Sequence, residues 1–258
     1  MRLGTEEAGQ HRSVSDRLVL IVETVSRQQR PVGLTRLAAL TGMAKPTVHR
    51  LAAELVRHRL LEHDDAGYTL GFHLFELGQQ VPASRRLRDI ALPLMSDLLA
   101  ATHEIVQLGV LDGTEIVYVE KLTGPRSAEA PSRVGSRLPA YQSALGKAIL
   151  AFSDADAVDL VLRSPMPAAT SATITTAPRF VRELASVRDQ GVAYDRGEGV
   201  AGIVCIGAPV LDSTGRAVAA ISITGPSHRL RPQQISYAVR TAALSISRTM
   251  NARVLRDA

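Results

Sequence analysis

Leu34-Thr35-Arg36-Leu37-Ala38-Ala39-Leu40-Thr41-Gly42-Met43-Ala44-Lys45-Pro46-Thr47-Val48-His49-Arg50-Leu51 reads as two helices meeting at a sharp turn. Thr35 is placed to cap the first, which runs through Leu37, Ala38 and Leu40 to Gly42. Ala38 lets the two helices approach closely, and Gly42 enters the left-handed turn at little cost. The second helix starts near Lys45-Pro46, where proline suits the first turn, and continues through Val48, Leu51, Leu55 and Val56 to Leu60. That is the pattern of a helix-turn-helix. With Val48 and Leu51 inward, Lys45, Thr47, His49, Arg50 and Glu54 fall away from the core, and those near the helix start face a major groove. Lys45 and Arg50 suit phosphate or guanine, Thr47 and His49 suit base edges or phosphate, and Arg36 anchors a phosphate.

Upstream, Ser13 or Ser15 caps a helix whose apolar positions Leu18, Val19, Ile21, Val22 and Val25 recur at helical spacing up to about Gln29, before Pro31 and Gly33 break it. Downstream, residues 62–70 alternate around Asp64-Asp65-Ala66-Gly67, a hairpin signal that predicts a wing. The acids Asp64 and Asp65 oppose phosphate there. Phe72, Leu74, Phe75 and Leu77 predict a further helix, and Pro82 with Ser84-Arg85-Arg86 marks a boundary. The resulting division is a winged helix-turn-helix over 1–72, a linker helix over 73–86 and a second domain over 87–258. Residues 27–59 carry seven cations (Arg27, Arg30, Arg36, Lys45, Arg50, Arg57, Arg59) against Glu54 alone. This local +6 exceeds the +5 of the whole chain, whereas a merely solvated helix face mixes its signs.

Beyond the boundary the pattern is mixed: a helix over 87–102, strands over 105–111 and 116–122 about Asp112-Gly113-Thr114, and a helix over 143–152 after the bend at Pro139. A helix over 179–190 closed by Gly191, a hairpin of strands 203–211 and 217–224, and a last helix after Pro232 complete an α+β chain.

Composition narrows the function. An aromatic share of 3% with no Trp disfavours stacking of single-stranded bases. Cys205 is the sole cysteine, which excludes an internal disulfide and a multi-cysteine zinc site and fits a reducing, cytoplasmic setting. No apolar run approaches the ~20 residues of a membrane helix, and no signal core opens the chain. Two hydrolase sites are conceivable by residue type: Cys205 with His103 or His228, and Ser143 with Lys147. Neither completes a motif, since Ser143 and Lys147 are four apart rather than three and no Gly-x-Ser-x-Gly surrounds the serine. Gly146-Lys147 lacks the upstream glycine of a phosphate loop, and the histidines are scattered. No catalytic residue, metal or cofactor is expected.

The helix-turn-helix run resembles that of the IclR family of bacterial regulators. Three later segments share the resemblance: Gly135-Ser136-Arg137-Leu138-Pro139 leading to Ser143-Ala144-Leu145-Gly146-Lys147-Ala148; Asp195-Arg196-Gly197-Glu198; and Cys205-Ile206-Gly207-Ala208-Pro209 with Ala220-Ile221-Ser222-Ile223-Thr224-Gly225-Pro226. Two positions depart from it: Tyr141 stands where the family often has histidine, and Gly197 replaces the first acid of a frequent Glu-Glu pair. The resemblance implies a GAF-like effector-binding domain, a homodimer built through the DNA-binding half or a homotetramer, and double-stranded DNA with a palindromic operator as partner. It implies a small organic acid or aromatic catabolite as effector, repression as the mode, and a pocket of Leu138, Ala144, Leu145, Asp195, Cys205, Ser222 and Thr224.

Residue chemistry supports part of that pocket. Ser143 as a cap leaves the amides of Ala144, Leu145 and Gly146 at a positive helix end suited to a carboxylate. Ser222 and Thr224, two apart on a strand, present both hydroxyls to one side, and Cys205 adds a small wall. An architectural DNA binder with no effector is the other reading, and the large second domain argues against it.

Overall fold

The computed structural model describes residues 13–125, 127, 130 and 132–257, and divides the chain into two compact units, Met1–Pro82 and Ala83–Ala258. In the first, α1 (Val14–Ser26) begins at Ser13, whose Oγ accepts from the Asp16 amide at 3.1 Å while the Asp16 carboxylate accepts from the Ser13 amide at 2.9 Å. Both ends of this reciprocal box answer amides that the first helical turn leaves open. α2 (Leu34–Thr41) is capped by Gly33 and not by Thr35. The cause lies just upstream: Val32 exchanges two backbone hydrogen bonds with Tyr68, each 3.0 Å, which fixes the extended chain so that helical geometry starts at Leu34. Gly42, at φ +68°, turns the chain into α3 (Lys45–Arg57).

α3 stops three residues earlier than its apolar pattern predicts. Arg59 takes φ +59°, the Leu60 amide reaches back to the Leu55 carbonyl at 2.9 Å and the Arg59 amide to that of Val56 at 2.9 Å. This is a Schellman ending with arginine where glycine is usual. The wing follows as β1 (Leu61–Asp64) and β2 (Gly67–Leu70), antiparallel, its turn held by Asp64 Oδ1 accepting from the amides of Ala66 and Gly67. Ile21, Val25, Leu37, Val48, Leu51, Leu55, Leu61 and Tyr68 form the core of this unit, and α4 (Phe72–Gln79) ends it.

The second unit opens with α5 (Pro82–Thr102), so residues 73–86, expected as one linker helix, are shared between α4 and the first turn of α5. β3 (Ile105–Asp112), β4 (Glu115–Leu122), β5 (Arg137–Pro139), β6 (Ala193–Arg196), β7 (Ile203–Leu211) and β8 (Ala217–Pro226) build an antiparallel sheet in the order β5-β4-β3-β8-β7-β6. α5 and α9 (Pro232–Asp257) cover one face through Met95, Leu108, Ile206, Ile221, Val239 and Ile246. On the other face lie α6 (Ala144–Leu150), α7 (Ala155–Arg163) and α8 (Ala177–Gln190), packed through Ile116, Leu145, Ile149, Phe180 and Leu184. Among the described residues no helix is long and apolar enough to cross a membrane.

Two local features shape that second face. Gly207 lets α6 lie directly on β7, because a Cβ there would stand 2.8 Å from the Ala144 carbonyl oxygen. A bulge between β3 and β4 shifts the register from Leu108↔Glu120 to Gly109↔Tyr118. Gln107 and Gly109 share a face, and so their partners Lys121 and Tyr118 share it too.

Candidate functional site

Val48, Leu51, Ala52 and Leu55 are the buried positions of α3, which leaves Lys45, His49 and Arg50 exposed and Thr47 half-buried on the opposite side. Glu54, the single acid of this stretch, is ion-paired with Arg57, which holds its carboxyl below the usual range. Among the described residues Lys45 and Arg50 make no ion pair, and Arg36 touches only the Gln28 side-chain oxygen at 3.5 Å. Arg59 is less free, lying 3.4 Å from Glu76. The exposed start of α3 therefore carries unneutralised positive charge in a geometry suited to a phosphate backbone.

The second unit holds a cavity of about 210 Å³ over the sheet. Of the seven expected pocket residues, Leu138, Asp195, Cys205 and Thr224 are on its wall. Three of these form a row fixed by register, Asp195↔Cys205 and Cys205↔Thr224. Ala144, Leu145 and Ser222 are outside the wall. For the first two the reason is the seating of α6: Ala144 is pressed on Gly207, Leu145 Cδ1 sits against Gly109, and the Gly146 amide is taken by Ser143 Oγ at 2.9 Å. Of the three amides expected to cradle a carboxylate, that of Gly146 is thus already taken, and the helix start is pressed on the sheet. Ser222 is held one layer back by Gln107.

Gln107 is the hub that the sequence reading missed. Its Oε1 accepts from Thr224 Oγ1 at 2.8 Å and Ser222 Oγ at 3.4 Å, and its Nε2 donates to Ser132 Oγ. The two hydroxyls do face one side, as alternation predicts, but they answer this amide. Tyr118, also on the wall, was missed as well, and its hydroxyl has no hydrogen-bond partner among the described residues. Lys121 holds the carbonyls of Ala130 and Ser132, and burial pulls its pKa down. For Gln107, the one polar residue between Ile105 and Leu111, that isolation in an apolar strand was the available signal.

Thr224 Oγ1 lies 3.1 Å from the Cys205 sulfur, and Asp195 Oδ1 accepts the Glu198 amide at 2.6 Å. Burial nonetheless pushes its pKa up. Burial, reinforced by the Asp195 charge, also pushes the Cys205 thiol up. Beside the cavity the turn after β6 is pinned: Thr170 Oγ1 donates to the Gly197 carbonyl at 2.6 Å and Thr173 Oγ1 to that of Glu198 at 2.7 Å. Gly197 sits at φ +83°, which explains a glycine where an acid was anticipated. Lys147, fully buried, donates to Glu198 Oε1 at 2.6 Å, to Glu183 Oε1 at 3.2 Å and to the Tyr194 carbonyl. Tyr141 is turned away, its hydroxyl donating to the Pro167 carbonyl at 2.6 Å.

These positions bear on the hydrolase readings. Cys205 is half-buried, and its thiol, pushed up by desolvation and by the Asp195 charge, is no thiolate nucleophile. Ser143 Oγ serves its helix cap while Lys147 is engaged elsewhere, so the two form no dyad. Among the described residues no cluster of His, Cys, Asp or Glu is suited to a metal ion.

Residues 79–248 match the family model described as the bacterial transcriptional regulator IclR C-terminal, and residues 15–65 match the IclR helix-turn-helix domain. The chain is 30% identical over 241 residues to the HTH-type transcriptional regulator XynR of Escherichia coli, covering 91% of this chain and 96% of that protein. It is 34% identical over 229 residues to the E. coli regulator KdgR, covering 86% and 87%. Among solved structures, an IclR homolog complexed with 4-hydroxybenzoate from Microbacterium hydrocarbonoxydans superposes with a TM-score of 0.86 at 28% identity, covering 93% of this chain and 100% of that one. The Thermotoga maritima IclR gives 0.76 at 30% identity, over 92% and 98%.

Proposed function

The chain belongs to the IclR family of bacterial transcriptional regulators, and from that premise we propose a sequence-specific repressor whose hold on a palindromic operator is set by a small organic acid or aromatic catabolite. It is a regulator and not an enzyme. The observation that carries the DNA-binding half is the exposed, unpaired charge of Lys45 and Arg50 at the start of α3. Arg36 adds a phosphate contact from α2, and Thr47 and His49 meet base edges or phosphate. Leu138, Asp195, Cys205 and Thr224 line the effector cavity, with Ala144, Leu145 and Ser222 supporting it from behind. The Microbacterium relative is a complex with 4-hydroxybenzoate, which makes that compound the first probe for this cavity.

Association through the N-terminal unit is part of the proposal. α4 buries none of its residues within its own unit, and Phe72, Phe75 and Leu77 stand exposed on it, as do Val14 and Val19 on α1. Such apolar surface fits a homodimer, with a tetramer formed through the second units.

The test is binding to operator fragments selected from random duplex DNA, followed over a salt series. Arg50→Ala and Lys45→Ala weaken binding without unfolding the protein, and loss of a pure phosphate contact lowers the salt slope by about one. Unchanged affinity in both sinks the assignment of α3. Ile203→Trp, which fills the cavity, abolishes release of the operator by effector and keeps DNA binding.

A further inference from the structure

Most polar groups around the cavity are already committed to one another. Gln107 is bonded to Thr224 and Ser132, and the Cys205 sulfur lies 3.1 Å from Thr224 Oγ1. Tyr118 is the exception. It is only 6% exposed, its side chain is on the cavity wall, and its hydroxyl has no hydrogen-bond partner among the described residues. Its oxygen is not sealed off from solvent, so it is open to the hollow that its side chain lines and free to take a ligand partner. The same hollow is lined by Asp195, 5% exposed, whose carboxylate takes the Glu198 amide and, among the described residues, no ion pair. Lys147, the cation that senses its charge, is engaged by Glu198 and Glu183. Tyr118 and Asp195 line the same hollow, so a phenol donor and a carboxylate acceptor share one cavity wall.

Resting on the reading that this cavity is the effector site, we propose that Tyr118 and Asp195 together recognise a hydroxyl group on the effector. The ligand oxygen accepts from the Tyr118 hydroxyl, and the proton on that oxygen goes to Asp195. A hydroxyl is the group that supplies both functions from one atom. A carboxylate in its place would satisfy Tyr118 but set two negative charges face to face, and a hydrogen or methyl would leave both side chains unanswered. The effector class is accordingly a hydroxylated small acid or alcohol bound with its hydroxyl end inward. Tyr118 is the specificity-determining residue.

Matched pairs that differ by one hydroxyl test this by calorimetric titration of the intact protein: 4-hydroxybenzoate against benzoate, and 3-hydroxybutyrate against butyrate. The wild type is expected to bind the hydroxylated member about 10- to 100-fold tighter, because a site built around a ligand hydroxyl penalises its loss. Tyr118→Phe brings that ratio close to one. Equal affinities in the wild type, or a ratio that survives Tyr118→Phe, overturn the proposal. A ligand-free arm is independent of which hydroxylated molecule is natural. Tyr118→Phe should melt within about 1 °C of the wild type, since its hydroxyl has no bond to lose, whereas a fall of about 2–4 °C, the shift for one hydrogen bond in a unit of this size, means the hydroxyl is already partnered and overturns it too. Ile203→Trp separates the two levels. If both pairs still bind that variant, the cavity is not their site and the reading beneath the proposal fails. If binding is lost there while Tyr118→Phe leaves the ratio intact, only the role of Tyr118 falls.

Discussion

Replacing Lys147 by methionine keeps the length of the side chain and removes its charge from a place water does not reach. Lys147 is 0% exposed and Glu198 5%, so the variant strands the Glu198 carboxylate in the interior. Its Oε2 already lacks a hydrogen-bond partner, which leaves no second donor to take over. Glu183, at 22%, can turn to solvent and adds little. Removing one partner of a buried pair costs about 3–5 kcal/mol, because the remaining charge is uncompensated. With roughly 2–4 °C per kcal/mol for a domain of this size, the C-terminal unit should melt about 6–20 °C lower by scanning calorimetry. The double variant Lys147→Met, Glu198→Leu should regain most of that, since an apolar pair of similar volume avoids the desolvation that the charges incur.

The loss carries a pH signature whose sign follows from Glu198. Burial holds its carboxyl above the usual 4.5 even with Lys147 present, and removing the lysine raises it further. Between the unfolded and folded values the native state binds the extra proton, so stability falls as pH rises through that window. The deficit relative to the wild type should be small near pH 5 and full at pH 8. A variant that melts within about 2 °C of the wild type at pH 8, a deficit equal at both pH values, or a double variant no better than the single one would each refute the reasoning.

Gly207→Ala places a Cβ 2.8 Å from the Ala144 carbonyl oxygen, a backbone atom that cannot swing aside. Overpacking of this kind costs about 1–3 kcal/mol, read as a drop of some 2–12 °C in the same transition, and an unshifted melt would mean α6 does not rest on β7. Cys205, with its thiol pushed up by burial, should react with iodoacetamide at pH 7.5 at least about tenfold more slowly in the folded protein than after unfolding, as followed by mass spectrometry. Rapid labelling of the native protein contradicts the protonated thiol.

The helix-turn-helix was legible because its determinants are local. Gly42 marks the turn, Pro46 the start of α3, and the apolar spacing of Val48, Leu51 and Leu55 the buried side, all within one short window. The errors at its edges were non-local in origin. Thr35 is a good cap by type, but the bonds between Val32 and Tyr68 start the helix two residues too early for it. Leu60 continues the apolar pattern of α3, but Arg59 in the left-handed region ends the helix first. β5 and β6, of three and four residues, are too short for alternation to separate them from loop, and only their pairing with β4 and β7 defines them.

The cavity obeys a different logic, because its wall is set by cross-strand register. The reading of Ser222 and Thr224 as hydroxyls on one side needed only alternation and is what the strand displays. What those hydroxyls meet depended on β3 lying beside β8 with Gln107 opposite Ser222, a pairing separated by more than a hundred residues of sequence. Tyr118 was harder still. Simple alternation from Lys121 assigns it to the opposite face, and only the bulge between β3 and β4 returns it to the side of Gln107. At the start of α6 the local part of the reading was visible, since Ser143 caps the helix and takes the Gly146 amide, whereas the seating of that helix on Gly207 depends on β7 and lies outside any short window. In the cavity the open polar group is a tyrosine hydroxyl on a bulged strand, sharing a wall with a buried aspartate, and this replaces a search for charge complementarity with a search for a hydroxyl.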